Sequence, residues 1–180
     1  MTLQADIATI LIVDDSPVSL SVAGVLLEGN GYRIAVAQNG AEGVQRAQQV
    51  LPDLILLDVM MPDIDGFEVC RRLKAGEATS DIPVIFMTAQ DSVEDKVKGF
   101  KSGGADYITK PLQGDEVLAR IATQLELRAV HRRLAEQNAQ LEQRIAARTT
   151  ELAERERQFR SLTEHSPDNI LRHDRDCRMI

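Results

Sequence analysis

Four apolar runs in this chain each stop on a polar residue. Ile10-Leu11-Ile12-Val13 leads straight into Asp14-Asp15, and Leu54-Ile55-Leu56-Leu57 ends on Asp58. Val84-Ile85-Phe86-Met87 ends on Thr88, and Tyr107-Ile108-Thr109 on Lys110, which Pro111 follows. A continuous apolar run of this length reads as a strand buried on both faces, the habit of parallel sheets covered by helices. Functional groups in such sheets collect just past the carboxyl ends of the strands. Three carboxylates, a hydroxyl and an ammonium are therefore expected on one rim, a set suited to a divalent cation and a phosphoryl group.

Turn signals separate the runs: Gly29-Asn30-Gly31, Asn39-Gly40, Pro52-Asp53, Asp81 to Pro83 and Gly103-Gly104. Strands are expected near 8–13, 32–37, 53–57, 82–87 and 105–109. Helices are expected near 17–28, 40–50, 65–74, 92–102 and from about 113 onward. Strands alternating with helical patterns imply right-handed crossovers and a parallel sheet. Five β/α units in about 125 residues match the flavodoxin-like doubly wound α/β fold, with strand order 2-1-3-4-5.

Beyond Pro111 the chain changes character. Ten of its 11 glycines lie before residue 112, and Asp115 to Ser166 contains neither Gly nor Pro. Leu118, Ile121 and Leu125 repeat at helical spacing and are expected to pack on the sheet. A heptad repeat then takes over. Leu127, Leu134 and Leu141 fall at d, and Asn138, Ile145, Leu152 and Phe159 at a, as in a coiled coil. An Asn at a is a device that favours a parallel two-stranded register. The seam is imperfect, with His131 at a and Arg148 and Arg155 at d. A parallel homodimer is the expectation, against a lone solvated helix rich in Glu and Arg. The expected organisation is a domain over 1–125, a coiled-coil helix over 126–163 and a further segment over 164–180.

Composition closes off other classes. No apolar stretch approaches the roughly 20 residues that span a bilayer, and the amino end has no basic cluster of a secretory signal. Cys70 and Cys177 fit no metal or redox spacing and read as free thiols of a reducing cytosol. The net charge of −7 disfavours direct nucleic-acid binding by the chain as a whole. A cytoplasmic protein without membrane or nucleic-acid partners is expected.

Four motifs in order, V-D-D-S-P, L-L-D-V-M-M-P-D-I-D-G-F-E, F-M-T-A and G-A-D-Y-I-T-K-P, make residues 7–125 resemble the receiver domain of two-component response regulators. The resemblance implies a phosphoacceptor rather than a conventional enzyme. A histidine kinase or phosphotransfer protein would be the partner, and Asp58 the nucleophile that forms an aspartyl phosphate. Bringing an anionic phosphoryl group to a carboxylate requires compensating positive charge, for which Mg²⁺ with oxygen ligands is the usual means. By resemblance Asp15 binds Mg²⁺ directly, Asp14 acts through a metal-bound water, and the Met60 backbone carbonyl adds an oxygen. Lys110 pairs with the phosphoryl oxygens, aimed by a cis Lys110–Pro111 bond. Thr88 and Tyr107 carry the switch: the hydroxyl moves to the phosphoryl group and the ring turns inward.

Several residues have plainer duties. Ser16 is expected as an N-cap with Pro17 at N1, and Asp63 and Asp65 as loop and cap residues rather than ligands. A phosphatase of the haloacid dehalogenase type would want its nucleophile on the first strand and a second Asp two residues on, where Asp15 is followed by Ser16-Pro17. A degenerate receiver acting only as a dimerisation module is the other alternative. His131, His165 and His173 lack the acidic residue and Asn-Pro of a kinase phosphoacceptor. Residues from Glu156 onward resemble the opening of a PAS domain cut short, which implies a truncated chain.

Overall fold

The computed structural model describes residues 7–89 and 93–164. Its elements alternate in chain order: β1 (Thr9–Val13), α1 (Pro17–Glu28), β2 (Arg33–Ala37), α2 (Gly40–Val50), β3 (Leu54–Asp58), α3 (Gly66–Ala75), β4 (Val84–Thr88), α4 (Val93–Lys101), β5 (Asp106–Thr109) and α5 (Gly114–Glu164). All strand pairs are parallel and the sheet order is β2-β1-β3-β4-β5. This is the flavodoxin-like fold, with a long carboxyl-terminal helix appended.

Strand side chains alternate between the two faces of the sheet, so each apolar run feeds two cores. Leu11, Val13, Ile55, Leu57, Val84 and Phe86 face one way, against Ala47 of α2 and the Phe67, Val69, Cys70 and Leu73 side of α3. Ile10, Ile12, Leu54, Leu56, Ile85 and Met87 face the other, against α1 and the first turns of α5. On α5, Val117 and Ile121 are fully buried, while Leu118 and Leu125 pack at the margin of that core. Cys70 is a free, buried thiol, and burial pushes its pKa up.

Helix starts follow local chemistry. Ser16, Asn39 and Asp65 each sit in extended backbone and accept a bond from the amide three residues on, at Ser19, Glu42 and Glu68. Pro17 opens α1 at a position where its missing N–H costs nothing. Asp63 is a loop residue whose carboxylate receives the Gly40 and Ala41 amides.

The chain divides into two units after His131, and α5 contributes to both. In the first, Arg128 Nη1 donates to the carbonyls of Pro52 (2.9 Å) and Asp53 (2.6 Å). The helix is thus held to the amino-terminal rim of the sheet at a point three residues past 125. In the second, Leu134, Leu141, Ile145, Leu152 and Phe159 are all more than half exposed. Arg155–Glu151 and Arg160–Glu156 form i,i+4 pairs there. Among the described residues, no helix is long and apolar enough to cross a membrane. The PAS-like stretch past Glu164 lies outside the described residues.

Candidate functional site

Parallel pairing brings the polar strand ends to one rim. Val13 pairs with Leu57, Asp58 with Met87, and Thr88 with Thr109. Asp14 therefore stands level with Asp58, Thr88 lies one residue further along, and Lys110 one beyond that, so the polar ends step along one rim. Asp14 is completely buried; its amide donates to the Ala37 carbonyl (3.2 Å) and its Oδ1 accepts from the Ser16 amide (2.9 Å). The carboxylate is thereby turned inward while Asp15, next along, stays exposed. Asp58 is 4% exposed and its Oδ1 accepts from the Met60 amide at 3.3 Å. Met60 itself is a surface side chain, so any contribution it makes to the site comes from its backbone.

Lys110 joins the cluster from 96 residues away in sequence. Its Nζ donates to Asp14 Oδ2 at 2.8 Å and lies 2.8 Å from Asp58 Oδ2. The Lys110 amide donates to the Thr88 carbonyl (2.8 Å), and the Lys110–Pro111 peptide is cis. Burial pushes the Asp58 carboxyl above its ordinary pKa; the Lys110 ammonium opposes this only in part, and the Asp14 charge adds to it. For Lys110, burial alone would lower the pKa, but bonds to Asp14 and Asp58 outweigh it and hold the ammonium above its ordinary value.

One carboxylate oxygen from each of Asp14, Asp15 and Asp58 lies within 4.8 Å of the others. An all-oxygen, anionic donor set is what a hard divalent cation such as Mg²⁺ takes. The residues present fit that ion.

Thr88 is 5% exposed. Behind it a cavity of about 10 Å³ is lined by Val59, Phe86 and Tyr107 among others, roughly the room one water needs. Tyr107 stands between two helices: Phe100 of α4 meets it edge-on with centroids 6.4 Å apart, and the Arg120 guanidinium of α5 lies 5.5 Å from its ring centre.

Three supporting residues escaped the reading of the sequence. Gly66, the first residue of α3, packs so close to the Asp58 carbonyl and Val59 Cα that a Cβ there would collide with backbone. The Asp-Gly pair after Met-Pro was a turn signal, but nothing local said which chain segment it approaches. Arg120 bonds both oxygens of Asp106 (2.9 and 3.0 Å), and Arg128 reaches the Pro52 and Asp53 carbonyls. Both looked like ordinary surface cations of a polar helix.

Comparison with known proteins places this geometry. The family model described as the response regulator receiver domain matches residues 10–122. The DNA-binding dual master transcriptional regulator RpaA of Synechocystis is 47% identical over 112 residues, covering 62% of this chain and 46% of RpaA. Protein PilH of Pseudomonas aeruginosa is 43% identical over 114 residues, covering 63% of this chain and 94% of PilH. The chain thus spans less than half the length of the first relative and nearly all of the second. Among solved structures, the receiver domain of sensor histidine kinase PA1611 from Pseudomonas aeruginosa, with a magnesium ion coordinated in its active site cleft, superposes with a TM-score of 0.63. It is 29% identical and the match covers 67% of this chain and 98% of that one.

Proposed function

Because this chain belongs to the response regulator receiver domain family, we propose that it accepts a phosphoryl group on Asp58 from a histidine kinase or phosphotransfer protein. We propose further that it passes the change along α5 to a dimeric carboxyl-terminal output. The observation that carries the reading is the Lys110 ammonium held 2.8 Å from both Asp14 and Asp58, beside the oxygen cluster those acids form with Asp15.

Asp58 is the nucleophile: a carboxylate oxygen attacks phosphorus, the bond to the donor breaks, and an aspartyl phosphate forms. Asp14, Asp15 and Asp58, with the Met60 carbonyl, would hold Mg²⁺, Asp15 directly and Asp14 through a water. Mg²⁺, when bound, supplies positive charge against the repulsion between the phosphoryl group and the carboxylates. Lys110 adds a fixed ammonium that can leave Asp58 for a phosphoryl oxygen without leaving Asp14. Ser16 and Pro17 hold the turn after the acids, so Asp14 stays aimed inward while Asp15 keeps access to solvent.

For the donor, α1 offers a surface beside the site. It begins two residues after Asp15, and Val18, Val22 and Val25 are exposed on it by 72%, 56% and 70%. Glu28 is its only charged residue. An apolar stripe at helical spacing with no charge to desolvate suits a donor helix laid alongside.

Thr88 and Tyr107 are the switch. The cavity between them is too small for an aromatic ring, so room for Tyr107 has to come from movement of Thr88 toward the phosphoryl group. Displacing Tyr107 releases contacts on α4 and α5 together. The exposed seam from Leu134 to Phe159 supports a parallel homodimer over roughly 127–162, since apolar residues at a and d are otherwise left in water. The neutral reading, a degenerate receiver that only dimerises, has the complete acidic set and Lys110 against it. The free thiol of Cys70 and an Mg²⁺-dependent site fit a cytoplasmic protein.

Incubation with Mg²⁺ and acetyl phosphate is the test. One phosphoryl group per chain is expected on wild type and none on Asp58→Asn, while Asp15→Ala should weaken Mg²⁺ binding. Equal labelling of wild type and Asp58→Asn would overturn the assignment.

A further inference from the structure

An open groove of about 490 Å³ runs between α3 and α4, bordered by Thr88 and Met60. Its floor is apolar, made by Val59 and Phe67; Phe67 is tied to Phe86 by a tilted ring contact at 5.2 Å. Its rim is cationic: Arg71 stands on α3, and Lys98 and Lys101 on α4. Among the described residues, the one carboxylate lining it, Asp65, already accepts the Glu68 amide at 2.7 Å as the cap of α3. Arg71 is held upright by Glu68, which receives its Nε and Nη2 at 2.9 and 2.7 Å, and its side chain remains 55% exposed. Lys98 and Lys101 are both exposed, and no ion pair engages them among the described residues.

Three cations around one apolar trough are out of keeping with a chain of net charge −7. Ordinary solvation does not require such a local reversal. A nucleic-acid backbone would need a basic track that follows successive phosphates. The groove instead offers a short cationic rim over one apolar floor, open at its ends. An extended segment that places an apolar side chain between acidic neighbours matches it in charge and shape.

The geometry points to a docking site for an acidic peptide segment of a partner protein, an apolar side chain resting on Val59 and Phe67 and flanking carboxylates meeting Arg71, Lys98 and Lys101. Thr88 and Met60 also line the groove, so it adjoins the phosphoacceptor site, but docking needs no phosphoryl group and its test reads peptide binding alone. Displacing water from the apolar floor supplies affinity, and the cations set orientation and speed of encounter.

The test is selection of dodecapeptides from a random displayed library on the full chain, followed by fluorescence anisotropy of the enriched peptides. Enriched sequences should be acidic around a Leu, Ile or Phe, and should bind about tenfold or more weakly to the double variant Lys98→Glu/Lys101→Glu. Both lysines are exposed, and circular dichroism together with unchanged labelling of Asp58 by acetyl phosphate would show the variant folded. Amide shifts on the wild-type chain should cluster at Val59, Phe67, Arg71 and Ser102. The proposal is overturned if enrichment shows no acidic bias, if the double variant binds the peptides as well as wild type, or if the shifts fall elsewhere. It is equally overturned if oligo-dT or anionic vesicles compete for those residues better than the selected peptides do.

Discussion

The Arg120 guanidinium lies 5.5 Å from the centre of the Tyr107 ring while it grips both oxygens of Asp106, the residue just before that tyrosine. Glu116, one turn earlier on α5, adds a third carboxylate oxygen at 2.9 Å. Hydrogen bonds to Asp106 and Glu116 hold the guanidinium firmly in its charged form. One side chain of α5 therefore touches both the Asp106 carboxylate of β5 and the Tyr107 ring beside it.

Replacing Arg120 with Ala should leave phosphorylation of Asp58 intact and uncouple it from α5. The loss of a cation–π contact and a partly exposed ion pair should cost about 1 kcal/mol of stability. Amide shifts recorded with and without a phosphoryl analogue provide the check. Tyr107 should still respond in the variant, while the response of α5 beyond residue 120 should shrink. An undiminished response along α5 would remove Arg120 from the relay.

Burial raises the Asp58 pKa above its ordinary 3.8, and the sign of the stability effect follows. Between 3.8 and the higher folded value, the native chain holds a proton that the unfolded chain has released. Stability from this group therefore falls as pH rises through that window and stays reduced above it. Asp58→Asn should then be more stable than wild type at pH 7, because it removes the buried charge while Lys110 keeps its bond to Asp14. The difference should shrink as pH falls through the raised folded pKa and vanish below 3.8. Urea midpoints of the two proteins at a series of pH values, without Mg²⁺, test this; a variant less stable at pH 7 would contradict it.

Gly66→Ala should be more harmful than an exposed helix-start substitution has any right to be. The new methyl would collide with the Asp58 carbonyl and Val59 Cα, atoms of backbone that cannot rotate away. A loss of about 2 kcal/mol is expected, together with slower phosphorylation, because the strand end carrying Asp58 must shift. Thermal melts and acetyl phosphate labelling on the same sample would separate the two effects. Wild-type values for both would show that α3 can recede freely.

The apolar seam of α5 should control assembly. Leu134→Lys/Leu141→Lys should turn a dimer into a monomer by light scattering, with labelling of Asp58 retained. A chain ending after His131 keeps Arg128 on the Pro52 and Asp53 carbonyls, and should be a folded, phosphorylatable monomer. Leu141→Cys, in a background with Cys177→Ser, should form an intermolecular disulfide, since a parallel in-register pair places position 141 opposite itself. A full-length chain that is monomeric at high micromolar concentration would refute the seam.

The local pattern of residues was enough to place the strands, because an uninterrupted apolar run can be satisfied only where both faces of a strand are covered. The polar residue ending each run marked the rim where the acids and Lys110 gather, because side chains at the carboxyl ends of parallel strands reach past the packed core. Helix starts at Ser16 and Asp65 were legible too, being decided within four residues by a side-chain oxygen and an amide. What the tertiary structure alone decided are meetings between segments. That Lys110 bonds Asp14 and Asp58 together, that Gly66 must lack a side chain because the Asp58 carbonyl lies against it, and that Arg120 attends Tyr107 all depend on how helices settle on the sheet. The same holds for Arg71, Lys98 and Lys101 around one trough. An exposed arginine or lysine carries no periodic signal of its partner; only packing, which fixes the distance between elements, determines which charge it meets.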